Sequence, residues 1–304
     1  MEKEVSMETN TASPFPYVRD FGQVISATVE FIRQHISSLY KILFVFVAPL
    51  AAIAGIFTSF AITDYFSWIH EFTQNPDFGS FGSFIGTLIM SYGVLLIAYL
   101  LCLVVTTEYC IAIHKQGSDN FNVKDFIRQC LRQTPRYVVL SIVSVFLLVL
   151  SYLFFIIPGI YFSVIVLIIF PVMANEKLSS WQTIKRSMTL MQGHWWSTFG
   201  LYLVVYIAVG IIVGIFTLPM YIGMGLNMFF STASPGEVPS YISVLSIFFT
   251  MISIVAQVIL YSVYQIVFTF KYFSILEIKE GGSLFTAISQ IGSSHDSSLP
   301  EETY

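Results

Sequence analysis

The sequence predicts an all-α, polytopic membrane protein with about six transmembrane helices. Three observations predict it. The 304-residue chain is 56% hydrophobic and only 11% charged, under half the roughly 25% charge of a soluble domain. Its apolar residues gather in long runs of the roughly 20 residues that a helix needs to cross the hydrocarbon layer. Its basic residues all fall on one side of the predicted spans, in alternate loops or at span ends, the bias that Lys and Arg show on the cytoplasmic side of membrane proteins.

Along the chain, the first twenty residues are acidic and polar. They read as a short cytoplasmic tail, because a secretory signal would begin basic and turn apolar at once. A transmembrane domain follows over 21–280, with spans expected at about 39–62, 84–112, 138–157, 160–174, 199–221 and 242–273. Residues 281–304 read as a second cytoplasmic tail that holds one short amphipathic segment, GGSLFTAISQIG. Spans three and four are joined by Pro158-Gly159, a tight-turn dipeptide. The fourth is short and holds Pro171. The pair is a spanning or a re-entrant hairpin, and the spanning form is the expectation.

Loop charge sets the expected orientation. The loop 63–83 holds Asp64, Glu71 and Asp77 without Lys or Arg, and the loop between spans five and six holds only Glu237. Lys115, Lys124, Arg128, Arg132 and Arg136 occupy the loop between two and three; Lys177, Lys185 and Arg186 occupy that between four and five. With Lys3, Arg19, Arg33, Lys41, Lys271 and Lys279, all fourteen basic residues lie on one side. That side is expected to be cytoplasmic, with both termini.

Each basic loop also carries helical periodicity ahead of a span. Phe21, Val24, Thr28, Ile32 and His35 precede span one. Val123, Phe126, Ile127, Cys130 and Leu131 oppose Lys124, Arg128 and Arg132 ahead of span three. Trp181, Ile184, Met188, Met191 and Trp195 form a stripe ahead of span five, with Lys185 and Arg186 off it. An apolar stripe with a basic opposite face marks a helix lying in the membrane interface, and Trp favours the headgroup level. The chain therefore reads as three units of interfacial helix plus hairpin. Trp181, Lys185, Arg186, Trp195, Arg128 and Arg132 are the candidate lipid contacts. The competing reading is a set of short cytoplasmic helices packed on one another.

Polar groups inside spans are functional candidates. Gln257, Tyr261, Tyr264 and Gln265 share one face of span six and either line a cavity or hydrogen-bond between helices. Glu108 near the end of span two is read as an interface carboxylate pairing with Lys115 or a basic loop residue. Gly210 and Gly214 form a G-x-x-x-G, read as close helix packing with room for a homodimer. Cys102, Cys110 and Cys130 show no metal or disulfide spacing. The scattered histidines form no metal motif, and no nucleophile elbow is present. No catalytic residue, metal or cofactor is expected. The net charge of −4 gives no sign of nucleic-acid binding.

Ile157-Pro158-Gly159-Ile160 and FPVMANEKLSSWQTIKRSMTLMQGHWWSTFG resemble the membrane domain that precedes some bacterial glycerophosphodiester phosphodiesterases, and the YciC-like inner-membrane proteins. The matching residues are Pro158, Gly159, Pro171, Glu176, Arg186, Ser187 and Gly193. The resemblance covers residues 157–200 and implies a bacterial inner-membrane location. It carries no catalytic residue, because the phosphodiesterase chemistry belongs to a soluble domain absent from this sequence. The expectation is a non-enzymatic inner-membrane protein that contacts lipids or a membrane partner, by analogy in envelope homeostasis. A small-solute transporter is the alternative, and a lipid-modifying enzyme using Glu108 or Glu176 a third.

Overall fold

The computed structural model describes residues 18–74, 80–116, 122–233 and 240–281. The N-terminal tail up to 17 and the segment from 282, which includes most of the GGSLFTAISQIG stretch, lie outside the described residues. Among the described residues eight helices and no strands occur: α1 (Phe21–Phe46), α2 (Ala48–Gln74), α3 (Phe81–Gln116), α4 (Val123–Phe154), α5 (Ile156–Glu176), α6 (Ser180–Met191), α7 (Trp195–Ala233) and α8 (Ser240–Glu280). Six of them, α2 to α5, α7 and α8, are long and apolar enough to cross a membrane. The chain is an all-α, multi-pass membrane protein.

The first span begins later than expected. Residues 39–46 belong to α1, and the chain breaks at Val47. Pro49 has no N–H to return to the carbonyl of Val45, so the helix restarts as α2. The Pro158-Gly159 turn also shifts. The joint is Phe155, in extended conformation with φ −158°, and Pro158 and Gly159 sit in the first turn of α5, where a missing N–H costs nothing. Gly159 is required by contact: a Cβ there would lie 2.5 Å from the Tyr152 ring of α4.

The tightest packing lies at the end of the bundle where α3 and α8 reach Lys115 and Lys279, here termed the basic end. Residues 102–111 of α3, 168–174 of α5 and 265–275 of α8 are buried all round. Spans are usually buried on one side only, so something besides lipid must cover them. The amphipathic segments do so. Val24, Thr28 and Phe31 of α1, Phe126, Ile127 and Cys130 of α4, and Ile184, Ser187, Leu190 and Met191 of α6 turn inward. α8 is the central element, packed against α1, α2, α3, α5, α6 and α7. In the second unit the amphipathic stretch is no separate helix, since α4 runs unbroken from Val123 to Phe154 through Pro135.

Both arms of the α4–α5 hairpin are long enough to span, with 21 residues in α5. Yet α5 does not run alongside α8. Glu176 accepts a hydrogen bond from Tyr272 (3.0 Å), while the Tyr161 carbonyl accepts one from Trp195 Nε1 (3.1 Å). Trp195 lies two residues before Ser197, which accepts from Lys271 (3.0 Å). Tyr161 and Glu176 are separated by about 22 Å of helix, yet Tyr161 meets the start of α7 while Glu176 meets the end of α8. The hairpin therefore leans obliquely across the basic end.

The expected packing of Gly210 and Gly214 is not found, as nothing approaches either within 4 Å. They lie off the inward face made by Leu201, Val205 and Val209. The close crossing is at Gly55 instead, where a Cβ would sit 2.6 Å from the Met251 Cα. Ala51 and Ala54 flank it, fully buried, and let α2 and α8 approach.

Candidate functional site at the basic end

A cavity of about 320 Å³ opens between the last turns of α3, the first half of α4 and the end of α5. Its one buried charged group is Glu108, only 7% exposed. The carboxylate is withdrawn there because α3 is buried on every side at this level, so its side chain meets water only through the cavity. It accepts a hydrogen bond from Tyr137 Oη at 2.9 Å. The expected electrostatic partner Lys115 acts on it together with Lys177, and the phenol is a partner the sequence did not suggest. Tyr137 is 1% exposed and stacked parallel on Phe170 of α5, which fixes the hydroxyl. Tyr137 continues the inward row of Phe126 and Cys130 along α4, and that row was the signal in the sequence.

Lys115, Arg136 and Lys177 line the cavity with Asp125, Gln129 and Gln133. Lys115 and Lys177 act on Glu108 electrostatically, but among the described residues the ion pairs lie elsewhere, from Arg186 to Glu176 and Glu280. Lys177 ends α5 in the left-handed conformation, φ 53°, unusual for a residue with a side chain. That turn exposes the carbonyls of Lys177 and Leu178, which accept from Arg136 Nη2 at 3.1 and 3.3 Å. One arginine thereby ties α4 to the α5–α6 joint and is held at the cavity wall.

A second cluster joins α5, α6 and α8. Arg186 Nε donates to both Glu176 oxygens at 3.2 and 3.0 Å, and its Nη2 donates to Glu280. Asn175 Nδ2 donates to Tyr272 Oη, which donates to Glu176. Burial pulls the Arg186 guanidinium down, but its bonds to Glu280 and Glu176 outweigh this and hold it above the ordinary arginine value. Arg186, offered by the sequence as a lipid contact, is thus committed to an internal pair. Ser187 is fully buried. Gly193 meets no neighbour within 4 Å, so its requirement is the φ of +82° at the α6–α7 joint rather than close packing. Pro171 is buried inside α5.

The remaining sequence candidates are dispersed. Trp181 is 56% exposed, with Lys185 Nζ 5.4 Å from its ring centroid. Arg128 and Arg132 are exposed on α4. Trp195 is stacked on Tyr161 and Phe199. Gln265 Nε2 donates to Tyr261 Oη at 3.0 Å, and Tyr261 packs on Tyr99 and Tyr264. With Gln257, these residues lie along α8 away from the Glu108 cavity. Lys271, read as flanking span six, is only 6% exposed and was missed because its position near a helix end suggested water.

The chain matches no family model, no curated protein and no solved structure. The functional reading rests on the geometry.

Proposed function

We propose that this chain is a non-enzymatic, multi-pass protein of the bacterial inner membrane whose basic end faces the cytoplasm and binds the anionic leaflet. The observation that carries this reading is a band of exposed cations interleaved with exposed apolar side chains. Arg128 and Arg132 flank Leu131 on α4, and Lys185 lies beside Trp181 and Met188 on α6, all turned out of the fold. The inward faces of these segments are already occupied by the bundle. The outward band is what remains to meet headgroups, and aromatic side chains among cations suit that level. The one-sided distribution of the fourteen basic residues supports the cytoplasmic orientation and cytoplasmic termini. The resemblance of residues 157–200 to the YciC-like proteins supports the inner membrane.

Each Lys or Arg near an anionic surface gains about 1 kcal/mol. The triple variant Arg128→Gln, Arg132→Gln, Lys185→Gln is therefore expected to lose at least about tenfold in retained anionic over zwitterionic lipid. Native-lipid nanodiscs and lipid mass spectrometry measure that ratio. An unchanged ratio would contradict the reading.

A further inference from the structure

We propose that the α3–α4–α5 cavity is a binding site for a small aminoalkyl phosphate, a primary ammonium joined by a short linker to a phosphomonoester. The inference stands on the cavity alone and is independent of the lipid-facing band. Charge is sorted along its depth. Glu108 is buried at the inner wall, held by Tyr137. Lys115 follows it by seven residues on the same face of α3, about 10 Å nearer the helix end. Arg136 and Lys177 also line the cavity and, like Lys115 and Asp125, are exposed, so the buried Glu108 sits inside an exposed rim in which Asp125 is the one carboxylate. The outer wall therefore has a surplus of two positive charges, which matches the −1.5 to −2 of a phosphomonoester. The inner carboxylate matches one ammonium.

The arrangement selects against simpler ligands. A bare phosphate would leave its oxygens facing Glu108. A bare amine would sit beside three cations. A trimethylated amine has no N–H to give the carboxylate. A volume of about 320 Å³ is at the low end for ligand sites and suits a ligand of this size. The polar Gln129, Gln133 and Asp125 side chains leave the linker little apolar surface, so recognition falls on the two charged ends. Arg136, anchored through the Lys177 and Leu178 carbonyls, is already ordered, which lowers the cost of organising the site.

Isothermal titration of the full-length protein in phosphatidylcholine nanodiscs tests this, with O-phosphoethanolamine, inorganic phosphate, ethanolamine and phosphocholine as probes. O-phosphoethanolamine is expected to bind at least about tenfold tighter than each of the others, since each lacks one charge-assisted contact. Glu108→Gln should bring O-phosphoethanolamine to the level of phosphocholine. Lys115 is exposed, and Lys115→Gln should weaken O-phosphoethanolamine and phosphate together without weakening ethanolamine. That rim variant keeps the test decisive even where Glu108→Gln fails to fold. Repeating the titration in nanodiscs doped with phosphatidylethanolamine separates the sources. Competition from the lipid, whose phosphate is a diester, would overturn the assignment to a monoester, and its absence supports a free aminoalkyl phosphate. Equal affinity for all four probes, no saturable binding, or Lys115→Gln without effect would overturn the proposal.

Discussion

Replacing Arg186 by Gln should destabilise the protein rather than change its lipid shell. The guanidinium is 28% exposed and Glu176 21%, so the pair is mostly withdrawn from water. Arg186 Nε reaches both carboxylate oxygens, and Tyr272 donates to the same group. A charge-assisted bond in such a setting contributes about 1.5–3 kcal/mol. The Glu280 arm is about half exposed and adds less than about 1 kcal/mol. Arg186→Gln is therefore expected to cost about 2–3 kcal/mol, because it also leaves Glu176 without its counter-charge. Glu176→Gln keeps the shape and still accepts from Tyr272, so it should cost less, about 1–2 kcal/mol. The double variant should cost less than the two added together, with a coupling of about 1–2 kcal/mol. Unfolding by graded SDS in mixed micelles measures all three. A cost for Arg186→Gln within about 0.5 kcal/mol of zero, the range of an ordinary surface change, would show that the cluster does not hold α5, α6 and α8 together. A loss of anionic lipid without a loss of stability would return Arg186 to the role the sequence suggested.

Gly159→Val should cost about 1–3 kcal/mol by overpacking against Tyr152 and be partly rescued by Tyr152→Ala, whereas Gly210→Ala should be silent in the same SDS titration. Burial, with Lys271 and Lys279 nearby, holds His194 below the ordinary histidine value. The unfolded chain then takes up that proton first, so stability should fall as pH drops below about 6.5, and His194→Gln should flatten the fall in SDS titrations run across that range. The oblique hairpin predicts that Phe155→Cys is shielded from an impermeant maleimide on the face that labels Glu71→Cys; labelling from that face would show that α4 and α5 cross completely.

Much of the architecture is legible in the sequence because the bilayer imposes a one-dimensional rule. A long apolar run must be a helix, and all six long apolar helices are recognisable before any contact is known. What is not legible depends on partners distant in the chain. Residues 39–46 satisfy the apolar rule, but Lys41 faces out while Ile42 and Leu43 face in, so they complete an amphipathic helix and Pro49 starts the span. The stripe on α6 is half right. Ile184 and Met191 are buried, while Trp181 and Met188 are exposed, because the buried face is centred on Ser187 and Leu190. Small residues mislead in the same way. Gly210 and Gly214 have the familiar spacing and face outward, whereas Gly55, beside two alanines, makes the close crossing. Glu108 is visible as a rare intramembrane charge, but only the fold brings Tyr137 to it.

The most direct test of the central claim is the side on which the basic end lies. Single cysteines at Lys124, Lys185 and Glu71, in a background with Cys102, Cys110 and Cys130 replaced, are labelled with an impermeant maleimide in intact cells and again after the membranes are opened. The account predicts that Glu71→Cys labels in intact cells, while Lys124→Cys and Lys185→Cys label only after opening. Labelling of Lys124→Cys or Lys185→Cys in intact cells would place the basic end, its cation band and the Glu108 cavity outside, and contradict the account.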